Sequence, residues 1–304
     1  MKRTLSLLLL PSLLLSACSE PESQDKSSDD RLPAEITEEE IPPEKSSPEE
    51  TSPEETSPEE TSPEESSPES AAAGSGIEVL FNGEDLTGWK GNPEHWTVEN
   101  GVIIGATTAE TEVPHNQFLI WQGEPVEDFI LTADLRLTSE GNNSGIQYRS
   151  QPRPQTGEYS MGGYQCDMHP DSWANGMLYD ERGRGILCKR GMKAVITSEG
   201  EARQVGELPA EPVFDTAEWN TYRVTARGNH LVHEINDVVT ADIHDHQESE
   251  RELSGLIAFQ IHRGAPMKIE IRNVTLERLP KSDLVAPEET PIPEDAPLVH
   301  PPKN

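Results

Sequence analysis

Residues 144–188 read SGIQYRSQPRPQTGEYSMGGYQCDMHPDSWANGMLYDERGRGILC, and two short alternating runs inside this stretch decide the fold. In the first, Ile146 and Tyr148 fall on one side and Gln147 and Arg149 on the other. In the second, Tyr164, Cys166 and Met168 share a face, and Gln165 and Asp167 share the opposite one. Side chains alternate across a β-strand, so each run carries one apolar and one polar face. The runs are followed by Trp173 in a loop with Gly, Pro and Asn, and then by the cluster Leu178-Tyr179-Asp180-Glu181. Polar strand faces beside loops that carry Trp and Tyr fit a sugar-binding cleft. A solvated sheet face with ordinary loops fits the same pattern.

The neighbouring sequence has the same texture. Phe129, Leu131, Ala133, Leu135 and Leu137 alternate with polar residues, and Asn100-Gly101 separates Trp96–Glu99 from Val102–Ile104 as a hairpin turn would. Residues 221–243 hold three strands, with turns at Gly228-Asn229 and Asn236-Asp237. The runs at 118–122, 255–262 and 267–279 are strands as well. No segment sustains a helical period. Short strands spaced by turn residues predict an all-β sandwich or jelly roll over residues 77–279.

Composition divides the chain into four parts. The formal net charge of −32 over 304 residues is extreme for one globular domain. Much of it is local, since residues 19–76 hold 19 acidic against 3 basic side chains. From Ser47 to Glu65 the unit S-P-E-E-T repeats every five residues; its prolines block helix and its glutamates repel. This segment is read as a disordered, acidic, Pro-rich spacer. Residues 1–18 join a basic start, Lys2 and Arg3, to an apolar run too short to span a bilayer, closed by Leu15-Ser16-Ala17-Cys18. That closing tetrapeptide resembles the lipobox of bacterial lipoproteins. It implies cleavage before Cys18, lipidation of Cys18, and anchoring in the cell envelope, at the outer membrane because Ser19 is not an aspartate. An ordinary signal peptide with an incidental Cys is the alternative. Residues 280–304 read as a loosely ordered Pro-rich tail. Acidity of the folded part excludes nucleic acid as a partner, which needs basic patches, and suits a neutral ligand or a divalent cation. Cys166 and Cys188 either pair as a disulfide or stay as buried thiols.

Eight motifs in order resemble the 3-keto-disaccharide hydrolase domain family. They are Leu80-Phe-Asn-Gly-Glu-Asp-Leu-Thr-Gly-Trp89, Asn143-Ser-Gly-Ile-Gln-Tyr-Arg149, Gly163-Tyr-Gln-Cys-Asp167, Gly176-Met-Leu-Tyr-Asp-Glu181, Glu218-Trp-Asn-Thr-Tyr-Arg223, Gly228-Asn-His-Leu-Val-His233, Gly255-Leu-Ile-Ala-Phe-Gln-Ile-His262 and Arg272-Asn-Val274. The resemblance covers residues 77–279 and implies a concanavalin A-like, laminin-G-like jelly-roll sandwich that cleaves glycosides already oxidised at C3. Two positions depart from the family pattern. Gln165 and Asp167 stand where many members have Glu-x-Gln, and Asn236-Asp237 replaces a usual Asn-Gly.

Such chemistry sets the residues to look for. A C3 ketone acidifies the proton on C2; a base removes it, the enolate forms, and the C1 substituent leaves. A base near neutrality, a group for the enolate oxygen and an acid for the leaving group are required. Asp167 or His233 is the expected base, His262 its partner or the acid, and Arg149 the orienting or enolate-stabilising cation. Tyr179 and Trp173 would stack on the sugar, while Gln165, Gln260 and Glu181 would bind its hydroxyls. No cofactor is specified, although a divalent cation could act as Lewis acid. His244-Asp-His246 has a metal-like spacing but reads first as a solvated loop among glutamates. A non-catalytic carbohydrate-binding module on a stalk is the rival to the enzyme. The sequence sets no oligomeric state.

Overall fold

The computed structural model describes residues 76–139 and 141–300. The lipobox, Cys18 and the acidic repeat lie outside the described residues. The chain forms β1 (Ile77–Val79), β2 (Trp89–Lys90), β3 (Trp96–Glu99), β4 (Val102–Thr107), β5 (Gln117–Trp121) and β6 (Phe129–Ser139). Next come β7 (Ser144–Pro152), β8 (Met161–Met168), β9 (Leu178–Glu181), β10 (Gly185–Cys188), β11 (Met192–Ile196) and β12 (Ala202–Glu207). The last are β13 (Asn220–Arg227), β14 (His230–Ile235), β15 (Val238–Asp245), β16 (Leu256–Ile261) and β17 (Met267–Arg278), followed by one short 3-10 turn at Pro287–Glu289. The turn residues named from sequence do what their chemistry allows. Asn100 and Gly101 have φ of 51° and 77°, and Asn236 and Asp237 have 49° and 63°, the left-handed pairs that a two-residue hairpin needs.

These strands make two sheets. The larger, of ten strands, runs β12-β11-β15-β14-β13-β6-β17-β4-β3, with β1 added beside β17; the smaller, of seven, runs β10-β9-β8-β7-β16-β5-β2. Neighbours are antiparallel apart from β11 and β15, which are parallel. The predicted alternation is the core. Phe129, Leu131, Ala133, Leu135 and Leu137 of the larger sheet face Ile146, Tyr148, Tyr164, Cys166, Ile257, Phe259 and Ile261 of the smaller, all of them buried. Burying each large apolar side chain contributes about 1.5–3 kcal/mol relative to leaving it in water. The architecture is a concanavalin A-like jelly-roll sandwich.

Two local expectations change, and one open alternative is decided. Residues 178–181 form β9 rather than a loop, and β11 and β12 were not expected at all. β12 has no fully buried position, so it carries no alternation to read. Cys166 and Cys188 are both free. Each pairs in register with Leu178, from opposite sides of β9, which places them two strand spacings apart, roughly 9.5 Å, beyond the reach of a disulfide. The tail is laid down on the domain rather than loose as far as residue 300. Ser282 N–H donates to Asp128 Oδ2 (2.6 Å), Val285 N–H to Asn229 Oδ1 (2.8 Å), and Val299 N–H to Ala202 O (2.9 Å). Leu298 bridges Arg203 of β12, and Ala296 and Val299 are buried.

Candidate functional site

With Tyr164, Cys166 and Met168 turned into the core, Gln165 and Asp167 face outward from the smaller sheet. There they join an amide row across three strands. Ser150 Oγ donates to Gln147 Oε1, Gln147 Nε2 to Gln165 Oε1 (3.0 Å), and Gln165 Nε2 to Asp167 Oδ1 (2.6 Å). Gln165 Nε2 also reaches Gln260 Oε1 at 3.4 Å, from β8 to β16 across β7. Gly145 lets this happen. It lies opposite Asp167 on β7, and a Cβ there would meet Gln165 Cγ at 2.8 Å. Gln147, Gln165, Asp167 and Gln260 are all buried, so the face is a covered floor rather than a wet surface.

β9 brings the second carboxylate. Leu178 and Asp180 turn inward, leaving Tyr179 and Glu181 on the outer side; Tyr179 pairs in register with Gln165. Asn116, in the loop before β5, donates through Nδ2 to Glu181 Oε1 and Oε2 (3.2 and 3.3 Å), and its Oδ1 accepts the N–H of Arg263 (3.1 Å). Burial, with Glu181 adding like charge, pushes the Asp167 carboxyl up to about 8 despite its bond from Gln165. Burial also raises Glu181, against the opposing pull of Arg182 and Asn116. Burial beside these acids pushes Tyr179 up to about 12. A carboxyl that changes protonation near neutrality, beside a second acid, is an acid–base pair in the chemical sense.

The rim is polar and aromatic. His262 follows β16, and its Nδ1–H donates to Arg263 O (2.6 Å), which leaves Nε2 as the ring's acceptor. Burial lowers its pKa, and neighbouring Arg263 and His169 add to the lowering. Trp173 is 49% exposed in the loop after β8, its ring centroid 6.1 Å from that of His169. The face thus holds Gln165, Asp167, Tyr179, Glu181 and Gln260, with His262 and Trp173 at strand end and loop. Gln147 and Asn116 complete it. Gln147 was legible as a polar-face residue, whereas no pattern in the sequence marks Asn116.

Arg149 and His233 are elsewhere. Alternation placed Arg149 on the polar face, but β7 bulges after Tyr148, and Arg149 takes φ 48°. The extra residue shifts the phase of the strand. The guanidinium is fully buried and pairs with Asp128 Oδ1 (3.0 Å). It also donates to the carbonyls of Glu127 (2.7 Å), Gly228 (2.6 Å) and Glu252 (3.2 Å). Gly255 is shaped by this bulge, since a Cβ there would meet Arg149 C at 2.3 Å. His233 lies between the sheets. Its Nδ1–H donates to Gly176 O (3.3 Å), so Nε2 accepts from the Tyr148 hydroxyl (2.8 Å). Burial holds it neutral down to about pH 4. Both side chains are therefore separated from Asp167 by the sheet itself. Asp180, inward on β9, accepts from Arg184 Nε (2.8 Å), whose Nη2 also pairs with buried Asp245 (2.8 Å). Two surface cavities of about 310 and 250 Å³ lie away from this face, one lined by Arg184, Ile186 and Leu298, the other by Lys193, His244 and Thr290.

A two-sheet jelly roll whose smaller sheet carries a covered row of amides and two carboxyls defines the class. The chain belongs to the family described as the 3-keto-alpha-glucoside-1,2-lyase-like domain, which matches residues 76–277. Among solved structures, two proteins from Parabacteroides distasonis described as candidate glycosyl hydrolases are similar. One is 22% identical over 68% of this chain and 95% of its own, with a TM-score of 0.46. The other is 16% identical over 67% of this chain and 100% of its own, with a TM-score of 0.47. The carbohydrate-binding module CBM66 from Bacillus subtilis is 14% identical over 62% of this chain and 95% of its own, with a TM-score of 0.43. No curated protein matches the sequence.

Proposed function

We propose that the domain cleaves 3-keto-glycosides by elimination, with Asp167 as the base. Asp167 takes the proton from C2, and the C2–H electron pair becomes the enolate of the C3 ketone. Collapse of the enolate forms C1=C2 and expels the C1 oxygen, which takes a proton from Glu181, while His262 offers Nε2 as an acceptor at the rim. Water adding to C1 of the resulting enone completes hydrolysis; without that addition the reaction is a lyase step. Gln165 and Gln260 hold hydroxyls, and Tyr179 and Trp173 offer aromatic faces to the sugar C–H surface. Arg149 and His233 keep only structural parts in this scheme. The observation that carries the reading is the Asp167 carboxyl, buried on the outer face of the smaller sheet and held by Gln165 Nε2 at 2.6 Å, in a chain of this family.

The test uses the full chain, a 3-keto-glucoside and its unoxidised parent, with release of the leaving group followed with and without EDTA. Cleavage of the keto sugar alone, lost in folded Asp167→Asn, is the expected result. Wild-type turnover in that variant would sink the assignment. The buried amide row and exposed Trp173 favour one second reading, a sugar-binding module, for which saturable binding without turnover is the signature. We also place the protein at the outer membrane, anchored through Cys18. Loss of labelled fatty acid and release from membranes in Cys18→Ala would support that placement.

A further inference from the structure

The outer face of the larger sheet carries a second constellation, unconnected with the amide row. His230 of β14 and His244 of β15 are directly opposite one another in the antiparallel register. Their rings stack with centroids 4.1 Å apart and planes 6° apart. Asp242 precedes His244 by two residues and so shares its face, and Asp242 Oδ1 lies 2.8 Å from His230 Nε2. One ligating atom from each of the three residues falls within 4.8 Å of the others. All three are half-buried on strands inside the sheet, so the backbone that aims them is fixed by hydrogen bonds on both sides.

We propose that His230, Asp242 and His244 bind a divalent transition-metal ion, with zinc as the best fit. Two imidazoles, which are borderline donors, beside one hard carboxylate suit Zn2+, Co2+, Ni2+ or Cu2+ rather than the all-oxygen preference of Mg2+ and Ca2+. Tetrahedral zinc at about 2.0–2.2 Å needs donor atoms roughly 3.3 Å apart, which modest rotation of the rings supplies from the observed spacing. Binding displaces the proton shared between His230 Nε2 and Asp242 Oδ1. Lys193 Nζ, 3.2 Å from Asp242 Oδ2, holds the place of the positive charge, and its half-exposed chain can swing aside. A cavity of about 250 Å³, lined by Lys193, Asp242, His244, Thr290 and Pro291, leaves room for a fourth ligand from solvent. His246 is not part of the set, although the sequence spacing pairs it with His244. Its Nδ1 lies 3.2 Å from Asn229 Nδ2 and its Nε2 2.7 Å from Thr290 Oγ1.

The test is calorimetric titration of the full chain with Zn2+ in excess Mg2+, which occupies the purely carboxylate sites. A Co2+ titration read by its visible absorption reports tetrahedral coordination. One tight equivalent is expected. It should weaken on the order of tenfold or more in His244→Ala and in Asp242→Asn, since even outer-shell losses cost that much. Lys193→Met should tighten it, and Glu181→Gln, on the other sheet, should leave it unchanged. Wild-type Zn2+ affinity in a folded His230→Ala/His244→Ala double variant would overturn the proposal. So would absence of saturable Zn2+ binding in the wild type, or weakening in Lys193→Met.

Discussion

Asp167 gains its chemistry at a cost in stability. Its folded pKa, about 8, lies above the ordinary carboxyl value of 3.8. Below pH 3.8 both states hold the proton. Between there and pH 8 the unfolded chain releases it and the folded chain keeps it, so stability falls as pH rises and then levels off. Asp167→Asn retains the acceptor for Gln165 and removes the titration. The variant should melt with the wild type near pH 4 and progressively above it by pH 8, by a few kcal/mol at most. Its turnover of a 3-keto-glucoside should drop on the order of 10²–10⁴-fold, the usual worth of a positioned base. His233 has the opposite sign. Its folded pKa of about 4 lies below the ordinary 6.5, so its contribution is complete above pH 6.5 and is lost as pH falls towards 4. In His233→Gln, melting temperature should depend less on pH across that window, with turnover kept within about tenfold of wild type, because the ring touches no substrate face. A collapse of turnover in a well-folded His233→Gln would return this residue to the chemistry.

At the scale of the strand, one missing side chain and one extra residue set the site. Gly145→Ala deletes no functional group, yet its Cβ would push on Gln165, which holds Asp167. Turnover should fall by at least about tenfold, a 1 Å displacement being enough to cost more than that, and melting temperature should fall with it, because the same Cβ would meet the Cys166 carbonyl oxygen at 2.8 Å. The bulge at Arg149 holds the loops at Glu127, Gly228 and Glu252 together, and Asp128 binds the tail through Ser282. Arg149→Ala leaves Asp128 as a buried lone charge, and thermal unfolding should show a loss of about 3–5 kcal/mol. These two elements also show what the sequence could tell. Period-two alternation put Ile146, Tyr148, Tyr164 and Cys166 in the core and Gln165, Asp167 and Gln260 on the far face. It failed at Arg149 because a bulge shifts the phase without a distinctive residue pattern. Asn116 was out of reach for a different reason, since only tertiary structure brings it to Glu181, 65 positions away.

For the whole molecule, turn residues and alternation were enough for a two-layer β architecture, and the ordered motifs for the family. They did not reveal β12, whose stability comes from its neighbours. That strand is the last of its sheet and would end in a row of unpaired amides and carbonyls. Pro297 O and Val299 N–H meet Gln204 and Ala202 there, and Leu298 bridges Arg203. Prolines on either side make the tail a poor strand for anything else to join. Residues 297–299 thus cap the β12 edge, occupying backbone groups that a second copy would need to add edge to edge. Removing residues 291–304 should therefore alter solution behaviour more than fold. Light scattering should show concentration-dependent association in the shortened chain, while its circular dichroism stays that of the intact β-sandwich.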